Sequence, residues 1–236
     1  MIVNADFSRR VAMCADEYRW IASPQAGVER VMLDRTGGEQ ARATSVVRYA
    51  RGAFFPHHVH PGGEEILVLS GVFSEDGHHY PAGWYLRNPP GSSHRPSSAD
   101  GAILFVKLRQ MASCESEPTR VDTRAPSTWH RTHRRHVCPL FESAHETVTL
   151  QRVAPGEPLF GGGVNGAELF VLTGTLATNR RVHARGAWMR LPAGAYPDIV
   201  AGESGATVYL KTGHLTHLEP GASPCRHHAS PSSAQG

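Results

Sequence analysis

Four side chains in the first half of the sequence have the types and the spacing of a metal site. His58 and His60 are two residues apart, so on a β-strand both imidazoles leave the same face. A Pro-Gly-Gly turn after His60 can bring Glu64 back to the same point, and a Pro-x-Gly turn precedes His94. Three imidazoles and one carboxylate suit iron(II), manganese, nickel, copper or zinc, and leave positions open on an octahedral ion. The alternative is a group of histidines hydrogen-bonded inside a barrel.

An internal repeat organises the chain around these residues. Residues 65–94 overlay 168–197 without a gap at a constant offset of 103, and glycines, prolines and apolar alternation are kept together. One inserted residue later, 101–107 overlays 205–211, so that the two lysines of the sequence occupy equivalent positions. This pattern predicts two tandem copies of one domain.

The repeat also distinguishes Glu64 from its neighbour Glu65. Glu65 is kept in the second copy as Glu168, whereas every proposed ligand is replaced. The replacements for His58, His60, Glu64 and His94 are Gly161, Gly163, Ala167 and Pro197. We therefore predict that Glu64 is the ligand and that Glu65 is structural, pairing with a retained arginine such as Arg87 or Arg190.

The elements that must position the site are short strands. Runs rich in β-branched and aromatic residues are separated by Gly and Pro clusters every ~8 to 12 residues, and no long segment keeps a helical period. This pattern predicts an all-β protein. The predicted domains are a metal-binding barrel with N-terminal strands (1–112), a surface linker (113–136), a second barrel without ligands (137–218) and a disordered tail (219–236).

Two motifs carry a resemblance to a known superfamily. The pattern G-x5-H-x-H-x3-E-x6-G begins at Gly52, and G-x5-P-x-G-x2-H begins at Gly83. Together they resemble the signature motifs of the cupin superfamily, and residues 25–110 resemble the ChrR-like cupins. The resemblance implies two tandem cupin barrels, each a double-stranded β-helix or jelly roll, in a bicupin. It also implies a relationship to acetylacetone-cleaving dioxygenases and to the cupin half of an anti-sigma factor.

Two functions follow from this resemblance. The first is a mononuclear metal-dependent oxygenase that acts on a small carbonyl or enol compound, with one divalent transition metal per chain (iron, zinc, manganese or nickel). The alternative is a metal- and ligand-sensing regulatory or binding protein without catalysis. We expect no sigma-factor binding, because only about 25 residues precede the resemblance and they contain no His-x3-Cys-x2-Cys motif. The second barrel is expected to cover a strand edge or to form a homodimer surface.

The remaining predictions concern the pocket, the partners and the location. The rings expected to line an apolar pocket around the metal are Phe54, Phe73, Trp84 and Phe105. The histidine-rich segment 129–136 is interpreted as a solvated basic linker rather than a second metal site near Cys138. A net charge of +3 argues against nucleic acid or a membrane surface as a partner. The expected partner is a small-molecule ligand, as the resemblance implies. The N-terminus carries charged residues where a signal peptide needs an apolar run, so we expect a cytoplasmic protein.

Overall fold

The computed structural model describes residues 1–132 and 135–216, which form antiparallel strands and two short 3-10 helices, Ala15–Glu17 and Pro126–Thr128. In chain order the strands are β1 (Ile2–Val3), β2 (Val11–Met13), β3 (Ile21–Ala22), β4 (Val28–Thr36), β5 (Ala43–Tyr49), β6 (Ala53–Phe54), β7 (His58–His60), β8 (Glu64–Glu75), β9 (His78–Pro81), β10 (Trp84–Asn88), β11 (Ser92–His94), β12 (Pro96–Ser98), β13 (Ala102–Leu108), β14 (Thr119–Asp122), β15 (His130–Thr132), β16 (Arg135–Glu142), β17 (Thr147–Val153), β18 (Gly163–Val164), β19 (Ala167–Ala177), β20 (Val182–Ala184), β21 (Trp188–Leu191), β22 (Gly194–Ala195) and β23 (Val200–Thr212). The predicted all-β class is confirmed. Neither described helix has the length and hydrophobicity needed to cross a membrane.

The strands form two barrels in tandem. The first contains a sheet in the order β1-β4-β5-β13-β8-β10-β14 and a separate pair, β7 and β11. The second contains a sheet in the order β15-β16-β17-β23-β19-β21-β2 and a separate pair, β18 and β22. The small pairs correspond under the repeat, because His60 lies opposite Ser92 just as Gly163 lies opposite Ala195. The tandem barrels predicted from the sequence are therefore confirmed.

Two glycines show why the repeat keeps this residue type. Gly71 and Gly174 both have a positive φ, 71° and 69°. A Cβ at these positions would lie 2.0 Å from the carbonyl oxygen of Gly101 and 2.1 Å from that of Gly205, respectively. Since no side chain fits such a close approach of two backbones, each long central strand needs glycine at this point.

Strand alternation divides the side chains between the barrel interiors and the contact between the barrels. On β8, Ile66 faces the interior of the first barrel, whereas Leu67 packs in a cluster shared by both barrels. On β19, Leu169 faces the interior of the second barrel and Phe170 joins the shared cluster. The two barrels therefore pack through the outer faces of equivalent strands.

Ionic side chains are buried between the barrels next to this cluster. Arg87 donates to Glu65 at 3.1 Å, and Lys211 from the second barrel donates to the same carboxylate at 2.8 Å. In the reciprocal contact Lys107 pairs with Glu168. Although burial opposes ionisation, the charges of Lys211, Arg87 and Lys107 lower the pKa of Glu65 to about 2. The predicted structural pairing of Glu65 with Arg87 is confirmed.

Two short strands outside the repeated segments extend the sheets of the barrels. β2, near the N-terminus, pairs with β21 of the second barrel, and β14 pairs with β10 of the first barrel. Within the segment 113–136, β14 is half-buried and β15 is exposed. That segment therefore supplies strands to both sheets, whereas the sequence predicted only a surface linker. Residues 219–236, predicted to be disordered, lie outside the described residues, and so does His133.

Candidate metal centre

Three imidazoles meet at one end of the first barrel. The antiparallel pairing of β7 with β11 sets His58 directly opposite His94, and His60 follows on the same face of β7. The Nε2 atoms of His60 and His94 lie 2.8 Å apart. Each of the three rings offers a nitrogen within 4.8 Å of the others, so this cluster could hold a metal ion.

Glu64 brings a carboxylate to the same cluster. Its Oε2 lies 3.4 Å from the Nε2 of His60 and 3.4 Å from the Nε2 of His94. The turn that returns the chain uses Gly63 at φ 74°, whose N–H donates to the carbonyl oxygen of His60 at 3.1 Å. Neighbouring ligand atoms around one ion, with bonds of about 2.1 Å, are separated by ~3 Å. Glu64 therefore lies at close to this spacing from two of the three imidazoles.

The electrostatics of Glu64 also fit a cation. Its side chain is buried, and Oε2 has no hydrogen-bond partner among residues 1–132 and 135–216. Burial raises the pKa of this carboxyl group above its usual range. Burial also lowers the pKa of His60, to about 4, with the charges of His94 and Arg109 acting in the same direction. A neutral imidazole lies beside a carboxylate oxygen that no described residue hydrogen-bonds. This pair suits a metal ion better than a proton.

Hydrogen bonds on the far side of two rings fix their orientation. The Nδ1–H of His94 donates to Glu75 Oε2 at 2.5 Å, and that of His58 donates to the carbonyl oxygen of Pro56 at 2.8 Å. With Nδ1 occupied in each ring, Nε2 is the nitrogen left to face the cluster. Such outer partners are a regular feature of metal-binding histidines.

Glu75 is in turn held by side chains from two strands. Arg120 on β14 donates to Glu75 Oε1 at 2.6 Å, and Asn88 on β10 donates to Oε2 at 3.2 Å. Although burial opposes ionisation, the bond from His94 and the charge of Arg120 lower the pKa of Glu75. Burial likewise opposes protonation of His94, but the bond to Glu75 raises the pKa of that imidazole. The segment between the barrels thus reaches the candidate metal centre.

Sequence reasoning missed Glu75 and Arg120. Glu75 could have been found, because the offset of 103 places Thr178 at its position in the second copy. The carboxylate disappears there together with the ligands, by the same criterion that selected Glu64. Arg120 lies beyond the segments that the repeat overlays, so the repeat gives no signal for it.

A cavity of about 370 Å³ opens beside the cluster inside the first barrel. His58, His60 and Glu64 form part of its wall. The rest of the wall is mainly apolar, and includes Val28, Tyr49, Phe55, Ile66, Phe73, Leu104 and Val106. A small molecule with an apolar body would therefore reach the imidazoles from the barrel interior.

Of the four rings proposed for the pocket, the structure places one in this cavity. Phe73 lines it, with its ring centroid 6.3 Å from that of His94. Phe105 instead packs against Phe170 between the barrels, because it lies on the outward-facing side of β13. Trp84 packs edge-on against Tyr80. Phe54 is 45% exposed, and the adjacent Phe55 is the ring that faces His58.

The equivalent region of the second barrel contains no such cluster among its described residues. Ala167 occupies the position of Glu64, and aliphatic side chains including Leu169, Met189 and Leu210 fill the interior. The one other group of three possible ligands in the described chain is Cys14, Asp16 and Glu17. It lies at the first 3-10 helix, and Glu17 already accepts from the backbone N–H of Cys14.

Comparison with known proteins agrees with this geometry. Residues 8–112 match the family model of the ChrR cupin-like domain. With the two barrels and the histidine cluster, this match supports assignment of the chain to the cupin superfamily. Its first barrel is similar to the ChrR cupin-like family in particular. A search of curated protein sequences finds no match.

Solved structures resemble the whole chain at low sequence identity. One is a protein from Nostoc punctiforme provisionally described as a dioxygenase, at 12% identity and a TM-score of 0.66, covering 87% of this chain and 82% of that one. Another is the pirin YhhW from Escherichia coli in complex with nickel(II), at 12% and 0.60, covering 86% and 98%. A cupin 2 conserved barrel domain protein from Leptotrichia buccalis matches at 14% and 0.56, covering 82% and 92%. These likenesses support the fold.

Proposed function

We propose that the chain is a bicupin that binds one divalent transition metal through His58, His60, Glu64 and His94. We further propose that it acts as a mononuclear metal-dependent oxygenase on a small carbonyl or enol compound. The observation that carries the proposal is the buried Oε2 of Glu64, which faces the imidazoles without a hydrogen-bond partner in the described chain. The ligand set suits iron, zinc, manganese or nickel, and the second barrel binds no metal.

The bound metal would supply Lewis-acid and redox chemistry to an oxygen-donating substrate. The protein's own residues do the rest. Glu75 holds the Nδ1 proton of His94 and so keeps Nε2 directed at the centre. Phe73, Phe55 and the aliphatic wall keep water away from the substrate and hold its apolar body against the imidazoles. Neutral His60, with its low pKa, competes weakly for protons and so stays available as a ligand at neutral pH.

Elemental analysis of the natively expressed protein tests the metal site. We expect one metal ion per chain in the wild type and loss of most of it in His94→Ala. His57→Ala is the matched control, because His57 is exposed and lies next to His58 outside the cluster. Unchanged metal content in His94→Ala would show that the metal is bound elsewhere.

Oxygen consumption tests the chemistry separately. Iron-loaded protein is expected to consume oxygen with at least one member of a panel of β-diketones, hydroxy-ketones and carboxylate-bearing analogues of both, and His94→Ala is expected to consume none. Failure of the whole panel with a fully metal-loaded sample would count against an oxygenase and in favour of ligand sensing.

A further inference from the structure

Arg109 lies on the wall of the metal-site cavity, against the turn that joins His60 to Glu64. It follows directly after β13, and its backbone N–H donates to the carbonyl oxygen of Gly63 at 3.1 Å. A Cβ on Gly62 would lie 2.8 to 2.9 Å from the backbone and side chain of Arg109. The glycine of this turn therefore leaves room for the arginine.

The backbone of Arg109 is unusual for its residue type. Its φ is 56°, in the left-handed region that favours glycine. The other non-glycine residues with positive φ in the described chain are Asn4 and Asp76, whose short polar side chains tolerate this region. Arginine has no such local compensation.

The second barrel shows which residue type the turn requires where no candidate metal site is present. Gly213 is equivalent to Arg109 under the repeat, and has a φ of 84°. Its N–H donates to the carbonyl oxygen of Gly166 at 3.2 Å, just as Arg109 donates to Gly63. The same turn is thus built with glycine in the barrel without ligands and with arginine in the barrel that has them. Residues held in strained backbone conformations cluster at active sites and ligand-binding positions.

The charge of Arg109 has no partner of opposite charge among residues 1–132 and 135–216. Two other arginines on the cavity wall, Arg30 and Arg35, pair with Glu39 at 2.6 and 3.6 Å. The guanidinium of Arg109 makes no hydrogen bond or ion pair within the described part of the chain, and Glu64 faces the imidazoles. The cavity therefore combines a mainly apolar wall with a guanidinium that no described residue pairs with.

We propose that Arg109 binds a carboxylate of the substrate, so that the substrate class is a small carbonyl or enol acid rather than a neutral ketone. A guanidinium presents two parallel N–H groups that match a carboxylate, and the match is stronger where water is excluded. This inference rests on the proposed metal function, which leaves the carbonyl end of the same molecule to the metal.

Binding of a matched pair of probes to the cobalt(II)-loaded protein tests this inference without turnover. The probes are 2,4-dioxopentanoate and its amide, which has nearly the same shape without the charge. Binding would be followed anaerobically by the cobalt absorption bands and by calorimetry. We expect the wild type to bind the acid about 10- to 100-fold more tightly than the amide, as for a charge-assisted contact. Arg109→Gln is expected to reduce this ratio to within about 3-fold.

Two further variants control for damage to the turn. Arg109→Gly installs the residue of the second barrel, so it fits the left-handed backbone and is expected to fold and to lose the discrimination. Arg51→Gln, at an exposed arginine outside the cavity, is expected to keep it. A wild type that binds neither probe or does not prefer the acid, or an Arg109→Gly variant that keeps the preference, would overturn the inference. Failure to bind cobalt at the histidines would instead overturn the metal site on which it rests.

Discussion

The two barrels share a backbone but differ in what fills their interiors. In the first, Glu64 and three imidazoles leave a cavity, whereas in the second Ala167 and its aliphatic neighbours fill the same space. Between the barrels the situation is reversed, because Glu65 and Glu168 are both kept and both are paired with lysines. The barrel interiors therefore differ because only the first contains the candidate site. The ionic contact between the barrels is kept in both copies because the packing of the fold depends on it.

The largest expected effect on stability comes from removing the buried carboxylates between the barrels, which both copies keep. Glu168→Gln removes the carboxylate that pairs with the buried Lys107. Glu65→Gln removes one of two carboxylates from Lys211, which also pairs with Glu146 at 3.1 Å. Loss of one partner from a buried ion pair costs about 3 to 5 kcal/mol. Glu168→Gln should therefore lower the free energy of unfolding by about this amount in chemical denaturation, and Glu65→Gln by less, because Glu146 still pairs with Lys211 and Arg87.

The control for this pair is an exposed salt bridge. Glu29→Gln removes the partner of Arg48, and both side chains are about half exposed. Such pairs contribute about 1 kcal/mol or less. A large loss in Glu65→Gln with a negligible one in Glu168→Gln would contradict the expected order of the two variants.

A smaller effect, confined to the first barrel, is expected at Arg120. This side chain holds Glu75, which orients His94, so Arg120→Gln should weaken metal binding about 10- to 100-fold. Competition with a chelator would measure the change. Arg124→Gln, at an exposed arginine paired with Asp122, is the matched control.

Arg120 acts as a positioning residue, so the conservative variant is informative. Arg120→Lys keeps the charge beside Glu75 and should recover part of the affinity. If Arg120→Gln binds metal as tightly as the wild type, the hydrogen bond from Arg120 to Glu75 contributes to the fold and not to metal binding.

The sequence allowed the cluster of His58, His60, Glu64 and His94 to be predicted from strand alternation and from comparison of the two copies of the repeat. His58 and His60 share a face by parity, and Glu64 is separated from Glu65 by its loss in the second copy. The pocket rings could not be predicted in the same way. Strand alternation places Phe105 and Leu104 on opposite faces of the strand, but it does not determine which face lines the cavity. The pairing of β2 with β21 could not be predicted either, because a strand of three residues is too short for its sequence pattern to identify the strand it pairs with.

The smallest expected effect concerns Glu64 in the metal-free protein. Burial raises the pKa of this carboxyl group above its ordinary value of 4.5, so the folded state holds the proton to higher pH than the unfolded state does. Its contribution to stability is therefore complete below about pH 4.5 and is lost as the pH rises through the folded-state pKa. Glu64→Gln removes this titration.

Unfolding by urea at pH 5 and pH 8, with chelator present, would measure the difference. The wild type should lose more stability than Glu64→Gln between these values, and Glu117→Gln, at an exposed position, should behave like the wild type. Added metal should cancel the loss in the wild type alone, because a cation compensates the ionised carboxylate. If metal stabilises Glu64→Gln as strongly as the wild type, Glu64 lies beside the ion without binding it, and the first barrel differs from the second through its histidines alone.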